Sequence, residues 1–192
     1  MRRRTALKLL ASAPVGLSTA GCLGTEETAD RTLTTARGCP PADASAPTCG
    51  EEFQRVSAYT DGDVRLGTGA GFEVTATPTR LALGDCVTFR LTNRSDEEQM
   101  TGIKEKYDIH RQTDDGWQSV LFTEWRAYED LGVSRRPGEG FVWRRRLSRG
   151  GLSVEGDKHV ACEPLRAGTY RFVYWGVGDG FDALGVEFEV TE

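Results

Sequence analysis

From about Gly50 onward, short apolar runs are separated by turn residues at intervals of roughly 8–15 positions, and no segment carries a long helical period. The run 86–92 is the clearest, because Val87, Phe89 and Leu91 alternate with polar residues and 93–96 resembles a turn. The pattern therefore predicts an all-β domain. Its strands are expected at 72–77, 86–92, 107–111, 117–122, 140–147, 169–175 and 184–190.

About seven strands in roughly 140 residues favour an antiparallel β-sandwich in which each sheet has one solvated face. The stretch 165–170, Leu-Arg-Ala-Gly-Thr-Tyr, matches a tyrosine corner, in which the Tyr170 hydroxyl bonds the backbone a few residues upstream. Between the strands, 125–131 is predicted to form a short helix or an irregular crossing.

The first 22 residues have a different character. Four basic residues within 2–8 precede a weakly apolar run at 9–17, which is far shorter than the roughly 20 residues of a membrane span. The run 3–8, Arg-Arg-Thr-Ala-Leu-Lys, resembles a twin-arginine export signal, and 19–22, Thr-Ala-Gly-Cys, resembles a lipobox. The resemblance implies a signal peptide at 1–21, a lipid on Cys22, and a lipid-anchored protein on the outer side of the cell membrane.

Charge changes the expected partners. Without residues 1–21, 20 basic residues face 29 acidic ones, for a formal charge of −9. Nucleic acids and anionic lipid headgroups need a positive surface, so both are disfavoured as partners. The excess of carboxylates and the scarcity of lysine are typical of proteins from a halophilic archaeon.

Polar composition divides the exported chain in two. Residues 23–48 are rich in Thr, Ala, Asp and Glu and contain a Pro-Pro pair, so they cannot bury a core. We expect a lipidated cysteine and flexible, disordered tether at 22–50, followed by the β-sandwich domain at 51–192.

Several motifs together resemble the immunoglobulin-like domains of bacterial and archaeal surface lipoproteins. They are the runs 87–95, 107–109, 116–117, 136–139, 168–172 and 186–188, and the resemblance covers about 72–192. It implies an immunoglobulin-like sandwich without catalytic residues, acting as an extracellular binding or structural module. Intracellular proteinase inhibitor domains share the same order of strands and turns. A proteinase-inhibitor-like protein with an exposed loop is therefore the alternative, although export departs from that group's location.

Besides Cys22, the chain has Cys39, Cys49, Cys86 and Cys162, an even number that predicts two disulfides with three possible pairings. In an immunoglobulin-like frame, the usual bridge is absent, because Phe172 occupies its inward position on the sixth strand. The second and fifth strands are neighbours in that frame, which predicts Cys86–Cys162, with Cys39–Cys49 as a local loop.

The side chains capable of chemistry are scattered. His110 is interpreted as a solvated strand residue near Asp108, and His159 as a solvated residue of a polar loop. No Ser-His-Asp order and no Gly-x-Ser-x-Gly motif stand out, and acidic clusters at 96–98 and 114–115 lack the ligand spacing of a calcium loop. Two histidines and no Cys-x-x-Cys argue against zinc. We therefore expect no catalytic residue, metal or cofactor.

What remains for recognition is the loop surface. Trp125 and Tyr128 in the crossing, and Phe181 in the Gly-rich loop 176–182, are the candidate binding residues. Asn93-Arg94-Ser95 is a possible glycosylation sequon, placed in a loop by the strand prediction. The expected partners are the membrane, through Cys22, and an unknown cell-surface protein or glycan.

Overall fold

The computed structural model describes residues 33–34, 38–41, 44–60, 62–178 and 183–192. Strands account for 46% and helix for 3% of the residues that the structure describes, so the predicted all-β class is confirmed. The predicted signal segment, Cys22 and Phe181 lie outside the described residues. Within the described ranges, no helix has the length and hydropathy needed to cross a membrane.

The secondary structure consists of fifteen strands and one short helix in the described residues. In chain order they are β1 (Leu33–Thr34), β2 (Gln54–Arg55), β3 (Val64–Leu66), β4 (Thr68–Gly69), β5 (Phe72–Thr77), β6 (Arg80–Ala82), β7 (Cys86–Asn93), β8 (Gln99–Thr101), β9 (Tyr107–Thr113), β10 (Gly116–Ser119), β11 (Phe122–Thr123), β12 (Val133–Arg135), β13 (Gly140–Arg146), α1 (Arg149–Leu152), β14 (Gly168–Tyr174) and β15 (Ala183–Thr191).

Two larger sheets organise these strands. The first has the order β1-β13-β7-β5-β4, and the second has the order β10-β9-β14-β15-β3 with β6 also paired to β15. The long pairings are antiparallel, whereas β1, β3 and β6 join their partners in parallel. Two small two-stranded pairs, β11–β2 and β12–β8, lie outside these sheets.

The alternation seen in the sequence builds the core between the sheets. Val87, Phe89 and Leu91 are fully buried on β7, and Phe89 lies opposite Trp143 of β13 in the strand register. From the other sheet, the ring of Phe172 stacks on Phe89 with 4.4 Å between centroids. Because these aromatic rings come from both sheets, the two sheets face each other across one core.

The tyrosine corner is confirmed. The Tyr170 hydroxyl donates a 2.6 Å hydrogen bond to the carbonyl oxygen of Arg166, four residues upstream. The bond fixes the entry into β14 at the point where the chain joins the second sheet. Residues 124–132 form no regular element. Of the two alternatives predicted for 125–131, the structure therefore shows the irregular crossing and not the short helix.

Both predicted disulfide pairings are wrong. The bridges are Cys39–Cys86, with Cα atoms 6.2 Å apart, and Cys49–Cys162, with Cα atoms 5.8 Å apart. The four cysteines do form two bridges. However, the segment before the domain runs along the domain instead of closing on itself, so each of its cysteines meets a domain cysteine.

The contacts of the same segment also correct the expected extent of the flexible tether, which was predicted to reach residue 50. Residues 38–41 and 44–50 lie against the domain, where Arg146 donates to the carbonyl of Pro40 at 2.7 Å and Arg149 donates to the carbonyl of Pro47 at 3.2 Å. A Cβ on Gly150 would collide with the carbonyl oxygen of Ala44, so only glycine permits this approach. These contacts use backbone carbonyls, which a polar composition does not reveal.

Candidate functional site: an aromatic surface over buried polar clusters

Four partly exposed rings form an aromatic surface cluster consisting of Tyr59, Trp125, Tyr128 and Trp175. The Trp125 and Tyr128 centroids are 6.0 Å apart in an edge arrangement, and Tyr128 meets Trp175 edge-on at 5.2 Å. Tyr59 lies 6.4 Å from Trp175, with the two ring planes tilted by 32°. Edge-to-face contacts suit the ring quadrupoles, so the cluster is a packed group of rings that leaves part of each ring open to solvent.

Local hydrogen bonds hold the crossing that carries these rings. The backbone nitrogen of Trp125 donates to the Thr123 hydroxyl at 3.0 Å, and the Gln54 amide donates to the carbonyl of Trp125 at 3.0 Å. Thr123 belongs to β11, which pairs with β2, and Trp175 directly follows β14. The rings are therefore positioned by strand ends even though their own segment is irregular.

Apolar side chains extend the aromatic surface cluster. Met100 is 56% exposed and Leu131 is 57% exposed, and both line a cleft of about 260 Å³ together with Trp175. Lys106 and Asp130, 3.0 Å apart, lie on the same cleft. The cleft therefore exposes apolar and aromatic groups beside a charged pair.

Beneath the aromatic surface lies a buried polar cluster of Tyr107, Arg145, Asp157 and His159. Arg145 donates to Asp157 and, at 2.9 Å, to the Tyr107 hydroxyl, which in turn donates to Asp157 at 2.9 Å. His159 Nδ1 lies 3.5 Å from Asp157 Oδ1, and His159 Nε2 lies 2.8 Å from the Tyr128 hydroxyl. The Tyr128 hydroxyl thus links the exposed crossing to this cluster.

Burial and charge fix the protonation of the buried polar cluster. Burial by itself raises the pKa of Asp157, but its hydrogen bonding with His159 and the charge of Arg145 outweigh burial and lower the pKa to about 2. Burial raises the pKa of Tyr107 well above its usual value. Burial, together with the charges of Asp108 and Asp157, also raises the pKa of Tyr128. An anionic Asp157 and neutral phenols therefore prevail at neutral pH.

A second buried group, the sheet-face cluster, lies on the side of β9, β10 and β14 that faces away from the core: Asp108, His110, Ser119 and Arg171. Arg171 Nε donates to His110 Nδ1 at 3.0 Å, so the imidazole proton resides on Nε2, which donates to Asp108 at 2.9 Å. Ser119 Oγ donates to the other Asp108 oxygen at 2.6 Å. Burial raises the pKa of Asp108 although these donors oppose the change.

The interpretation of both histidines as solvated is wrong. His110 and His159 are completely buried. Residues 54–60 cross the outer face of the second sheet, and Arg171 Nη2 donates to the carbonyls of Tyr59 and Thr60 at 2.7 and 3.2 Å. A sheet face that alternation assigns to solvent is therefore covered by a segment distant in sequence.

Neither buried group has the arrangement of a hydrolytic site. In the sheet-face cluster, Ser119 bonds Asp108 and not His110, so the imidazole is not placed to take the serine proton. At the edge of the buried polar cluster, the Tyr128 hydroxyl that contacts His159 stays protonated, because burial raises its pKa. Among the described residues, no group of three or more His, Cys, Asp or Glu side chains is arranged to hold a metal ion.

Asn93 is not a glycosylation site in the folded domain. It is the last residue of β7, not a loop residue, and it is 1% exposed. Its Nδ2 atom, which would carry the glycan, donates to the carbonyls of Glu97 and Arg135 at 2.8 and 2.9 Å. The side chain instead closes the turn after β7 by accepting bonds from Ser95.

The sequence identified part of the aromatic surface cluster. The structure brings Trp125 and Tyr128 together on the surface, as expected, whereas Phe181 lies outside the described residues. Trp175 and Tyr59 were missed. For Trp175 a signal existed, because alternation from Tyr170, Phe172 and Tyr174 places it on the outer side of the strand end.

No protein-family model and no curated protein sequence match the chain. Solved structures resemble it weakly. An alkylpurine DNA glycosylase from Pseudomonas fluorescens, bound to DNA with an abasic-site analogue, has a TM-score of 0.31 at 13% identity over 65% of this chain and 32% of its own. A β-glucosidase from Listeria innocua in complex with gluconolactone has a TM-score of 0.29 at 18% identity over 63% of this chain and 16% of its own.

A β-glucosidase from Erythrobacter marinus has a TM-score of 0.30 at 11% identity over 63% of this chain and 15% of its own. The chain thus spans between about a sixth and a third of the length of these proteins. At TM-scores this low, the similarity carries no argument about the activity of this chain.

Proposed function

We propose that the protein is a lipid-anchored, extracellular, non-catalytic binding module whose immunoglobulin-like sandwich presents the aromatic surface cluster to a cell-surface partner. One observation carries the proposal. The aromatic rings are partly exposed, whereas the groups capable of acid–base chemistry are buried and bonded to one another. Trp and Tyr are the side chains that most often dominate interface energetics.

The strand pattern supports the immunoglobulin-like assignment. Three long strands, β5, β7 and β13, face four others, β9, β10, β14 and β15. The tyrosine corner precedes β14, and β6 joins β15 in parallel after the chain leaves β5. These features are typical of immunoglobulin-like sandwiches, whose functions reside in loops rather than in the sheets.

Anchoring is tested at Cys22. We expect the wild-type protein to sediment with membranes and to begin at a lipid-modified Cys22, because the signal would be cleaved immediately before that residue. Cys22→Ala should release the protein, as measured by fractionation and intact mass. A wild-type protein that retains residues 1–21, or that lacks lipid, contradicts the anchor.

Binding is tested at Trp125. Trp125→Ala is expected to reduce co-isolation of a surface partner from solubilised membranes at least tenfold, because it removes a ring from the exposed aromatic cluster. The neighbouring exposed residue gives the matched control, Arg126→Ala, which should retain the partner. If both variants co-isolate partners as the wild type does, this surface is not the binding site.

A further inference from the structure

A cleft of about 380 Å³ lies beside the tyrosine corner, and its polar lining is dominated by arginine. Arg55, Arg111 and Arg166 line it together with Gln118 and Glu163. Tyr170 also lines it, but its hydroxyl is committed to the Arg166 carbonyl. This arginine cleft shares no residue with the aromatic surface cluster, so its function is independent of the proposed binding surface.

Each arginine is held differently. Arg55 is committed, because it donates to the carbonyl of Ser119 and to Glu163 at 2.7 Å. Arg111 is anchored through Nε and Nη2 to the carbonyl of Ala167, at 3.4 and 3.2 Å, which leaves Nη1 available. Arg166 is exposed, and its guanidinium is available to a ligand. Two guanidinium groups are therefore available to a ligand: that of Arg111 is held in place by the backbone, and that of Arg166 is free to adjust its position.

The charge of the cleft opposes that of the protein. Three arginines and one glutamate give the cleft a formal charge of +2, whereas the chain after residue 21 has 29 acidic and 20 basic residues. Among the described residues, neither Arg111 nor Arg166 forms an ion pair with a carboxylate. Both also border an adjoining groove, where one carboxylate, Asp114, is present.

We propose that the arginine cleft is a binding site for a tetrahedral oxyanion, namely a phosphate or sulfate group. Guanidinium groups present fixed forks of N–H donors that match the oxygens of such anions. A doubly charged anion balances the +2 charge of the cleft and removes the repulsion between Arg111 and Arg166. A concave site with a net positive charge also concentrates anions, even on a protein whose net charge is negative.

Isothermal titration of the purified full chain with sodium phosphate and sodium sulfate, against sodium chloride at matched ionic strength, tests this site. We expect saturable binding of both anions, weakened at least tenfold by Arg166→Gln and by Arg111→Gln. Arg126→Gln removes the same charge outside the cleft and should bind within twofold of the wild type.

Arg111 also supports the backbone at Ala167, so Arg166→Gln, at an exposed residue, decides the outcome if Arg111→Gln fails to fold. Absence of saturable binding, or equal affinity in wild type and Arg166→Gln, overturns the proposal. A parallel titration with glycerol 3-phosphate identifies the source of the group. Binding of the monoester supports a phosphorylated ligand, and binding of the inorganic ions alone supports a free-anion site.

Discussion

Asp157→Ala is expected to lower the free energy of unfolding by about 3–5 kcal/mol, the cost typical of removing one partner from a buried ion pair. The Arg145 side chain is 6% exposed and the Asp157 side chain 10%, so solvent screens their interaction little. Without Asp157, the Arg145 guanidinium stays buried without a counterion, and the Tyr107 hydroxyl loses its acceptor. Urea denaturation followed by circular dichroism measures the effect.

The matched control is Asp130→Ala. Asp130 is fully exposed and pairs with Lys106 at the surface, where solvent screens the pair, so its loss should lower the free energy of unfolding far less than loss of Asp157. A cost for Asp157→Ala no larger than this control would mean that Arg145 is solvated in the protein. The buried polar cluster would then have no part in holding the crossing.

The same carboxylate makes the free energy of unfolding of the wild-type protein depend on pH in the acid range. The pKa of Asp157 in the folded protein is about 2, below its usual value of 3.8, so the folded state favours the ionised form. The stability contributed, on the order of 2 kcal/mol, is present above about pH 4 and is lost as the pH falls towards 2. Asp157→Asn should flatten the stability profile over this window.

Removing the Cys49–Cys162 bridge by a double alanine substitution is expected to cost about 2–5 kcal/mol. The bridge joins residues 113 positions apart, so it restricts a large part of the unfolded chain. The bridge also ties residues 44–50 to the part of the chain after His159. Residues 54–60, which cover the outer face of the second sheet, follow shortly after.

The second disulfide provides the comparison. Cys39–Cys86 joins residues only 47 positions apart, so loop entropy makes its removal less costly than removal of Cys49–Cys162, by about 0.8 kcal/mol. Denaturant titration of both double variants measures the difference, and peptide mapping of the wild type verifies the pairings. A map linking Cys39 to Cys49 would contradict the docked course of the segment before the domain.

Local patterns were sufficient to predict the long strands. The strand expected at 72–77 is β5 with the same limits, and the strand expected at 86–92 matches β7 except for its last residue. Alternation and turn residues predict such strands because they are properties of neighbouring positions. The strands of two to four residues, such as β2 and β11, were missed or misplaced. Their pairing depends on partners far along the chain, which leave no periodic signal.

The disulfides and the buried histidines needed tertiary information. Cysteine pairing follows the course of residues 38–41 and 44–50, whose composition carries no periodic pattern. His110 occupies the outer face of its sheet as alternation indicates, but the segment 54–60 covers that face. For the candidate site, an irregular crossing with two aromatic residues indicated Trp125 and Tyr128, while Tyr59 joins them only through the fold.

The most direct measurement is saturation binding of the purified protein to cell envelopes from the organism that makes it. Cys22→Ala serves as the background, so that lipid insertion does not contribute. The account predicts saturable binding, a loss of affinity of at least tenfold in Trp125→Ala with an unchanged circular dichroism spectrum, and affinity within twofold of the background for Arg126→Ala. Binding that does not saturate, or that Trp125→Ala leaves unchanged, would contradict the assignment of the aromatic surface cluster as the site of recognition.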